Sequence, residues 1–513
     1  MSKVAAFSTC NNVSKISSWW FCLVLVVLLS FVSPSLLAQD ANTRPNILFI
    51  GIDDYNDWAG ILQTHPQVVT PNIDRLAERG TLFTNAHVQA PVCNPSRVSL
   101  MTGLRPTTTG IYGLAPGHRE AESTQDVITL PQYFAEHGYR TYSTGKIFHG
   151  VPEEVRETDF QNWGPDGGFG PFPEDKLVKE PLDMVDHPLV DWGVFPEKDS
   201  VMGDYKVASW AVDQLEEFGT EQEESPFFMA VGFVSPHVPL YAPQKWFDLY
   251  PGEQRVVLPP APEGDREDIP DFAWYTHWFL PEPRLSWVIE HDEWHSKVRS
   301  YLATVSFMDA QVGRVLDTLE EQDLVENTIV VFWSDHGYHL GEKAITGKNT
   351  LWERTTRVPL IFAGPGVSTG ATSPEAVELL DMYPTLVDLT GLPAKEDIEG
   401  ISLVPQLEEA DTPRERPAVT TANPGNHAVR TERWRYIRYA NGAEELYDHY
   451  RDPHEWSNLA DDPEYIDVKR ELAKWMPEDN APHVPGSRSR ILRQKNGEWF
   501  WEGEPVVFDE LIQ

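Results

Sequence analysis

Short apolar runs of strand length recur along the chain, each closed by turn-prone or charged residues: Asn46 to Ile52 (NILFIGI), Phe227 to Val234 (FFMAVGFV), Thr328 to Trp333 (TIVVFW) and Val358 to Ala363 (VPLIFA). Runs without polar alternation belong to strands covered on both faces. Between them the pattern changes to helical. Thr70-Pro71 supplies an N-cap and first-turn pair for a helix through Arg79, stopped by Gly80. Leu130 to His137 forms a second helix ending at Gly138, Tyr139 to Ser143 the strand after it, and a longer helix spans about Ser300 to Leu324. This alternation predicts an α/β fold, a mostly parallel sheet with helices on both faces. Polar residues gather just past the strand ends: Asp53-Asp54, Lys146 with His149, His237, and Asp335-His336. Open α/β sheets bind ligands at that edge.

The Pro-rich, aromatic stretch from Pro251 to Trp287 is expected to be a long surface loop. A helix from Asp381 to Leu389 and the Gly391-Leu392-Pro393 stop close the large domain, and the charged, Pro-punctuated Glu409 to Pro417 fits a linker. Short strands such as Trp434 to Tyr439 and a helix near Tyr465 to Trp475 follow. The expected division is a leader over 1–38, a catalytic domain over 39–412 and a smaller subdomain over 413–513. In the leader, Lys3 and Lys15 precede an apolar run from Phe21 to Val32, and Ser35-Leu36-Leu37-Ala38 resembles a cleavage site. The run is shorter than the roughly 20 residues of a membrane helix. A secreted or periplasmic protein without stable membrane insertion is expected.

Composition sharpens this picture. The 513 residues, 41% hydrophobic and 23% charged, are ordinary for a globular protein. A net charge of −38 argues against nucleic acid as a partner. An anionic substrate would need cations concentrated at its own site against that field. Of the three cysteines, Cys10 and Cys22 fall in the leader, so the exported chain carries Cys93 alone and forms no internal disulfide. A single thiol in an oxidising compartment is either buried and inert or chemically used.

The surroundings of Cys93 favour use. Cys93-Asn94-Pro95-Ser96-Arg97, continuing to Gly103, matches the C-x-P-S-R determinant of type I sulfatases, and the chain resembles that family. The resemblance implies oxidation of Cys93 to formylglycine (3-oxoalanine) by a formylglycine-generating or anaerobic maturation enzyme. The aldehyde hydrates to a geminal diol: one hydroxyl attacks sulfate sulfur, and deprotonation of the other re-forms the aldehyde and expels sulfate. Pro95-Ser96-Arg97 opens a helix whose first N–H groups would face an anion.

The family pattern also implies a divalent cation held by Asp53, Asp54, residue 93, Asp335 and His336. Hard oxygen donors suit calcium (Ca2+), with magnesium (Mg2+) as the alternative. His336 departs from the asparagine of many members, and nitrogen is a poorer partner for calcium. Arg97 and Lys146 would hold the diol and the charge at the metal, and His149 would take a proton during elimination. His237 and Lys348 would bind sulfate and protonate the departing alcohol.

Pro45 to Asp54, Gly145-Lys146-Ile147-Phe148-His149, Ser334-Asp335-His336-Gly337 and the run Thr431 to Ala460 are most similar to the iduronate-2-sulfatase branch. That implies a sulfated sugar substrate, in extracellular polysaccharide or oligosaccharide. It implies an alkaline-phosphatase-like fold, a large mixed sheet between helices with a smaller C-terminal α+β subdomain. Two other readings stand beside it: a phosphodiester or phosphonate monoester hydrolase of the same superfamily, and a glycan-binding relative without catalysis.

Overall fold

The computed structural model describes residues 44–182, 187–220, 225–277 and 280–507, so the leader expected over 1–38 lies outside the described residues. The apolar runs form the centre of a large sheet. Its strands are β1 (Asn46–Ile52), β2 (Gly80–His87), β3 (Arg140–Gly145), β4 (Asn162–Trp163), β5 (Phe227–Phe233), β6 (Thr328–Ser334), β7 (Arg357–Ala363), β8 (Ala371–Ser373) and β9 (Val377–Glu378). The order across the sheet is β8-β2-β7-β6-β1-β5-β3-β4, with β9 also paired to β2. β1 is parallel to β5 and β6, and β3 to β4 and β5, whereas β7 runs antiparallel to β6 and β2. The sheet is therefore mixed. β2 (GTLFTNAH) lacks a continuous apolar run, yet it is buried between β7 and β8.

Successive residues of β1 serve opposite cores, as the pleat requires. Ile47 and Phe49 pack with Leu100 and Met101 of α2 (Cys93–Thr102), and in the same core lie Phe134 of α3 (Leu130–Glu136) and Leu386 of α6 (Met382–Leu389). Leu48, Ile50 and Ile52 share the other core with Leu76 of α1 (Pro71–Glu78), Leu215 of α4 (Gly203–Thr220) and Val305 of α5 (Trp294–Glu321). Each such side chain contributes roughly 2 kcal/mol on burial.

One expected cap is built differently. Thr70 precedes α1, but its hydroxyl accepts from Gly60 N–H (2.8 Å) and donates to Asp74 (3.1 Å). The α1 N–H groups of Asn72 and Ile73 are instead taken by Asp309 of α5, at 3.1 and 2.9 Å. Aspartate at a helix N-terminus also complements the helix dipole.

Strands β10 (Ala418–Thr421), β11 (His427–Arg430), β12 (Trp434–Arg438) and β13 (Glu444–Asp448) form an antiparallel sheet in that order. One face of it packs with Leu472 of α7 (Ile466–Ala473), the other with Phe272, Trp274 and Trp352. Arg435 pairs with Glu353 and Glu455 (2.6 Å to the latter), and Arg430 with Glu353 (3.1 Å), which joins this sheet to the larger one. The chain ends in β14 (Leu492–Lys495), β15 (Glu498–Trp501) and β16 (Glu504–Pro505). No described helix is long and apolar enough to cross a membrane.

Candidate active site

The ends of β1 and β6 are tied together, and this fixes three carboxylates. Asp335 N–H donates to the Ile52 carbonyl (3.1 Å), Asp53 N–H to the Phe233 carbonyl (3.1 Å) and Asp54 N–H to Asp335 Oδ1 (3.2 Å). Asp54 has φ +59°, a left-handed turn conformation that aspartate tolerates better than most residues.

Cys93 begins α2 directly after the extended Val92, and Arg97 follows one turn later on the same helix face. The Ser96 hydroxyl donates to the Asp335 carbonyl (2.6 Å), which docks the helix onto the end of β6. Arg97 Nε donates to Asp335 Oδ2 (2.7 Å), Nη2 lies 3.4 Å from Asp53 Oδ1, and Nη1 donates to the carbonyls of Lys146 and Ile147, the second at 3.0 Å. Lys146 Nζ is ion-paired with Asp53, and Lys348 Nζ with Asp54 (2.7 Å). Lys348 Nζ and His336 Nε2 each stand 3.2 Å from Cys93 Sγ. The Gly337 carbonyl lies 3.0 Å from His336 Nδ1 and can only accept, so Nδ1 donates and Nε2 faces the site. His237 Nδ1 donates likewise to the Val238 carbonyl (2.6 Å), and its Nε2 is 3.8 Å from Asp54. Among the described residues the His149 side chain has no hydrogen bond or ion pair with the others, and its Nδ1 is buried without a partner.

This concentration of charge sets the protonation states. Burial would push Asp53 up, but Lys146 and Arg97 override it and hold the carboxyl well below its usual range. For Asp54 burial wins over Lys348 and His336, and the carboxyl rises to about 7. Burial also opposes a Cys93 thiolate, yet Lys146 and Lys348 bring the thiol well below its ordinary value. Burial, with Lys348, takes His237 down to about 3. Burial would lower His336 as well, but Asp335 and Cys93 lift it to about 9.

The carboxylates gathered around Cys93 could hold a metal ion. Ligand atoms of Asp53, Asp54, Cys93 and His237, and of Asp53, Cys93, Asp335 and His336, lie within 4.8 Å of one another. Asp54 Oδ2 is buried without a hydrogen-bond partner, an acceptor that a cation would satisfy. A third group, Glu353, His449 and Glu455, is taken up by Arg430 and Arg435 and serves as an ion-pair seam.

The sulfatase family model matches residues 45–392, and the N-sulphoglucosamine sulphohydrolase C-terminal model matches 341–481. The chain belongs to the sulfatase family. As a sulfatase it is a sulfuric ester hydrolase. It is 42% identical over 459 residues to a sulfatase of Formosa agariphila, covering 85% of this chain and 87% of that one. It is 33% identical over 424 residues to the iduronate 2-sulfatase of Homo sapiens, covering 73% and 74%. A solved 2-O GAG sulfatase superposes with a TM-score of 0.66 at 25% identity, covering 84% of this sulfatase and 90% of that chain.

Three neighbours of the site escaped the sequence reading. The Phe169 ring lies 5.0 Å from that of His237, with Lys146 Nζ 5.4 Å from its centre. Its signal was the surrounding Gly167-Gly168-Phe169-Gly170, a glycine density typical of a shaped loop. His277 Nδ1 donates to the Lys348 carbonyl (2.8 Å). Asn349, at φ +79°, donates its N–H to the Pro91 carbonyl (3.0 Å) and its amide to the Thr276 carbonyl (3.0 Å). The Lys348 turn is thus pinned to the segment leading into Cys93 and to the Pro251–Trp287 stretch, which also contains a 3-10 turn over Asp271–His277.

Proposed function

We propose that this sulfatase removes sulfate from sulfated sugars, with residue 93 acting as formylglycine beside a divalent cation, calcium in preference to magnesium. The observation that carries the reading is the buried convergence on Cys93 Sγ: His336 Nε2 and Lys348 Nζ at 3.2 Å, with three carboxylates and two further cations around them. Two similar proteins, an iduronate 2-sulfatase and a 2-O GAG sulfatase, are named for sugar substrates, which supports a sugar here.

Asp53, Asp54, Asp335 and His336 would hold the cation together with residue 93. When bound, the cation neutralises sulfate oxygens and makes the hydroxyl of residue 93 more acidic. The hydrated aldehyde provides one oxygen for attack on sulfur and a second for release. Arg97 and Lys146 fix the carboxylates and meet the negative charge of the attacking group. His149 accepts the proton lost when sulfate is released. His237 and Lys348 bind sulfate on the leaving-group side. His237 is neutral as it stands, so it takes up a proton before donating one, and the arriving sulfate charge favours that uptake.

Export directed by residues 1–38, oxidation of Cys93 by a formylglycine-generating or anaerobic maturation enzyme, and a subdomain beginning near residue 413 complete the reading. A panel of defined sulfated oligosaccharides, with desulfated products identified by mass and NMR, tests it alongside a phosphate diester and a phosphonate monoester. Peptide mass spectrometry of the active protein tests residue 93. Full activity with an unmodified thiol, or turnover of the phosphorus esters alone, overturns it.

A further inference from the structure

The stretch from Gly486 to Lys495 (GSRSRILRQK) holds Arg488, Arg490, Arg493 and Lys495 and no acidic residue, in a chain of net charge −38. Among the described residues none of these four cations has a carboxylate oxygen within the 4.0 Å of an ion pair, whereas Arg97, Arg105, Arg414, Arg430 and Arg435 all do. Arg490 Nε is buried and has no hydrogen-bond partner. A buried N–H without an acceptor is costly, and in an acidic protein a nearby carboxylate would ordinarily fill that role.

The backbone holds this segment firmly. Ser489 and Arg490 are both left-handed, at φ +59° and +70°, a pairing that side-chain-bearing residues avoid. The Arg490 N–H donates to Glu502 (2.5 Å), and the Arg490 carbonyl accepts from the Asn423 amide (3.1 Å). The Ser489 carbonyl accepts from Leu114 N–H (3.0 Å), and Arg488 N–H donates to the Ala115 carbonyl (3.3 Å). A Cβ on Gly113 would come within 2.5 Å of the Ser489 carbonyl, so the two segments are in close contact. The Gly113 and Pro116 carbonyls in turn hold the amide of Asn94, next to the nucleophile, each at 2.9 Å. The segment therefore rests on the shelf that positions residue 94. Burial keeps His277 neutral, with Arg284, His339 and Arg490 adding to that effect in turn, and His277 donates to the Lys348 carbonyl.

We infer that this arginine strap, centred on Arg490, binds a second anionic group of the substrate: a carboxylate or further sulfate on the sugar bearing the scissile ester or on its neighbour. The inference rests on the saccharide reading above and narrows it to polyanionic saccharides. A local row of cations without carboxylate partners gives such a substrate a landing site that the overall negative field otherwise denies it.

Steady-state kinetics of the mature, metal-loaded enzyme test this with a 2-O-sulfated uronic acid disaccharide, its carboxyl-reduced form, the same disaccharide carrying an added sulfate, and 4-nitrophenyl sulfate. Arg490→Gln should raise KM for the uronic disaccharide about tenfold or more, with kcat little changed and the salt dependence of kcat/KM flattened. Parameters for 4-nitrophenyl sulfate should stay within about twofold. Carboxyl reduction that abolishes the difference between wild type and Arg490→Gln identifies the carboxylate as the ligand, and a difference that appears only with the added sulfate identifies sulfate. If Arg490→Gln does not fold, Arg488→Gln and Arg493→Gln carry the same expectation in smaller measure, and Arg490→Lys should keep most of the affinity. Unchanged KM on every saccharide, or equal losses on saccharide and aryl sulfate, overturns the strap and leaves the saccharide reading standing. A wild-type enzyme that desulfates none of the saccharides removes both.

Discussion

Gly145 of β3 and Gly232 of β5 lie opposite one another in register, so close that a Cβ on Gly145 would stand 1.9 Å from the Gly232 carbonyl oxygen. A Cβ on Gly232 would stand 2.3 Å from the Lys146 backbone, whose N–H donates to the Gly232 carbonyl at 2.9 Å. This approach turns Lys146 inward to Asp53 and leaves its carbonyl within reach of Arg97.

Gly232→Ala should therefore displace Lys146 and lower kcat by about a hundredfold, since misplacing a group beside the reacting atoms by about 1 Å costs that much. Gly150→Ala, where an added Cβ meets nothing within 4 Å, should keep wild-type activity. Circular dichroism and thermal melts separate misplacement from misfolding. A Gly232→Ala enzyme with normal kcat would mean that the position of Lys146 does not matter.

Asp54 tests the cation. Its Oδ2 is buried without a hydrogen-bond partner and Oδ1 is shared with Lys348. Asp54→Asn should bind calcium at least about tenfold more weakly and lose activity in parallel, as elemental analysis and calcium titration would show. Exhaustive chelation should silence the wild type, and calcium should restore it. Full activity with no metal detected would eliminate the proposed site.

Away from the site, Asp309 links stability to pH. Burial pushes its carboxyl up to about 6 despite the N–H donors of Ile73 and Asn72. With a folded value above the unfolded one near 3.8, its contribution is fully present below about pH 4 and is lost as pH rises through 6. The difference corresponds to about 3 kcal/mol. Relative to Asp309→Asn, the wild type should melt at progressively lower temperature between pH 4 and 7. A constant gap across that range would show that the group does not titrate as the burial argument requires.

The apolar runs at β1, β5, β6 and β7 were legible because a strand covered on both faces must be continuously apolar. β2 was not, because Thr81, Thr84 and Asn85 interrupt it and only tertiary pairing shows where they go: Thr81 donates to the Ser368 carbonyl, Thr84 to that of Ser373 and Asn85 to that of Pro374. The groups that converge on Cys93 stood in the sequence as short motifs after strand ends and at the start of α2. Their neighbours were not legible, because Phe169, His277 and Asn349 meet them through contacts between segments far apart in sequence, which neither spacing nor periodicity records. The same holds for the cap of α1, where local sequence pointed to Thr70 and the carboxylate came from Asp309, more than two hundred residues away.

The division of labour among the histidines can be read from the leaving group. His237 stands beside Asp54 with Nε2 bare, under Phe169 and near Lys348, whereas His149 has its Nδ1 buried without a hydrogen-bond partner. An aryl sulfate releases a stable phenoxide and needs little protonation, while a sugar alkoxide needs a proton in the transition state. His237→Ala should therefore lower kcat/KM for a sugar sulfate by about a hundredfold or more and for 4-nitrophenyl sulfate by about tenfold or less. His149→Ala should slow both alike, because its role is in releasing sulfate from the enzyme, and it should show a burst of one desulfation per enzyme before stalling. Rapid-quench measurement of released alcohol and free sulfate distinguishes the two defects. Equal losses on both substrates for His237→Ala, with inhibition by sulfate unchanged, would leave Lys348 as the proton donor. A His149→Ala enzyme without a burst would place its contribution before the chemical step.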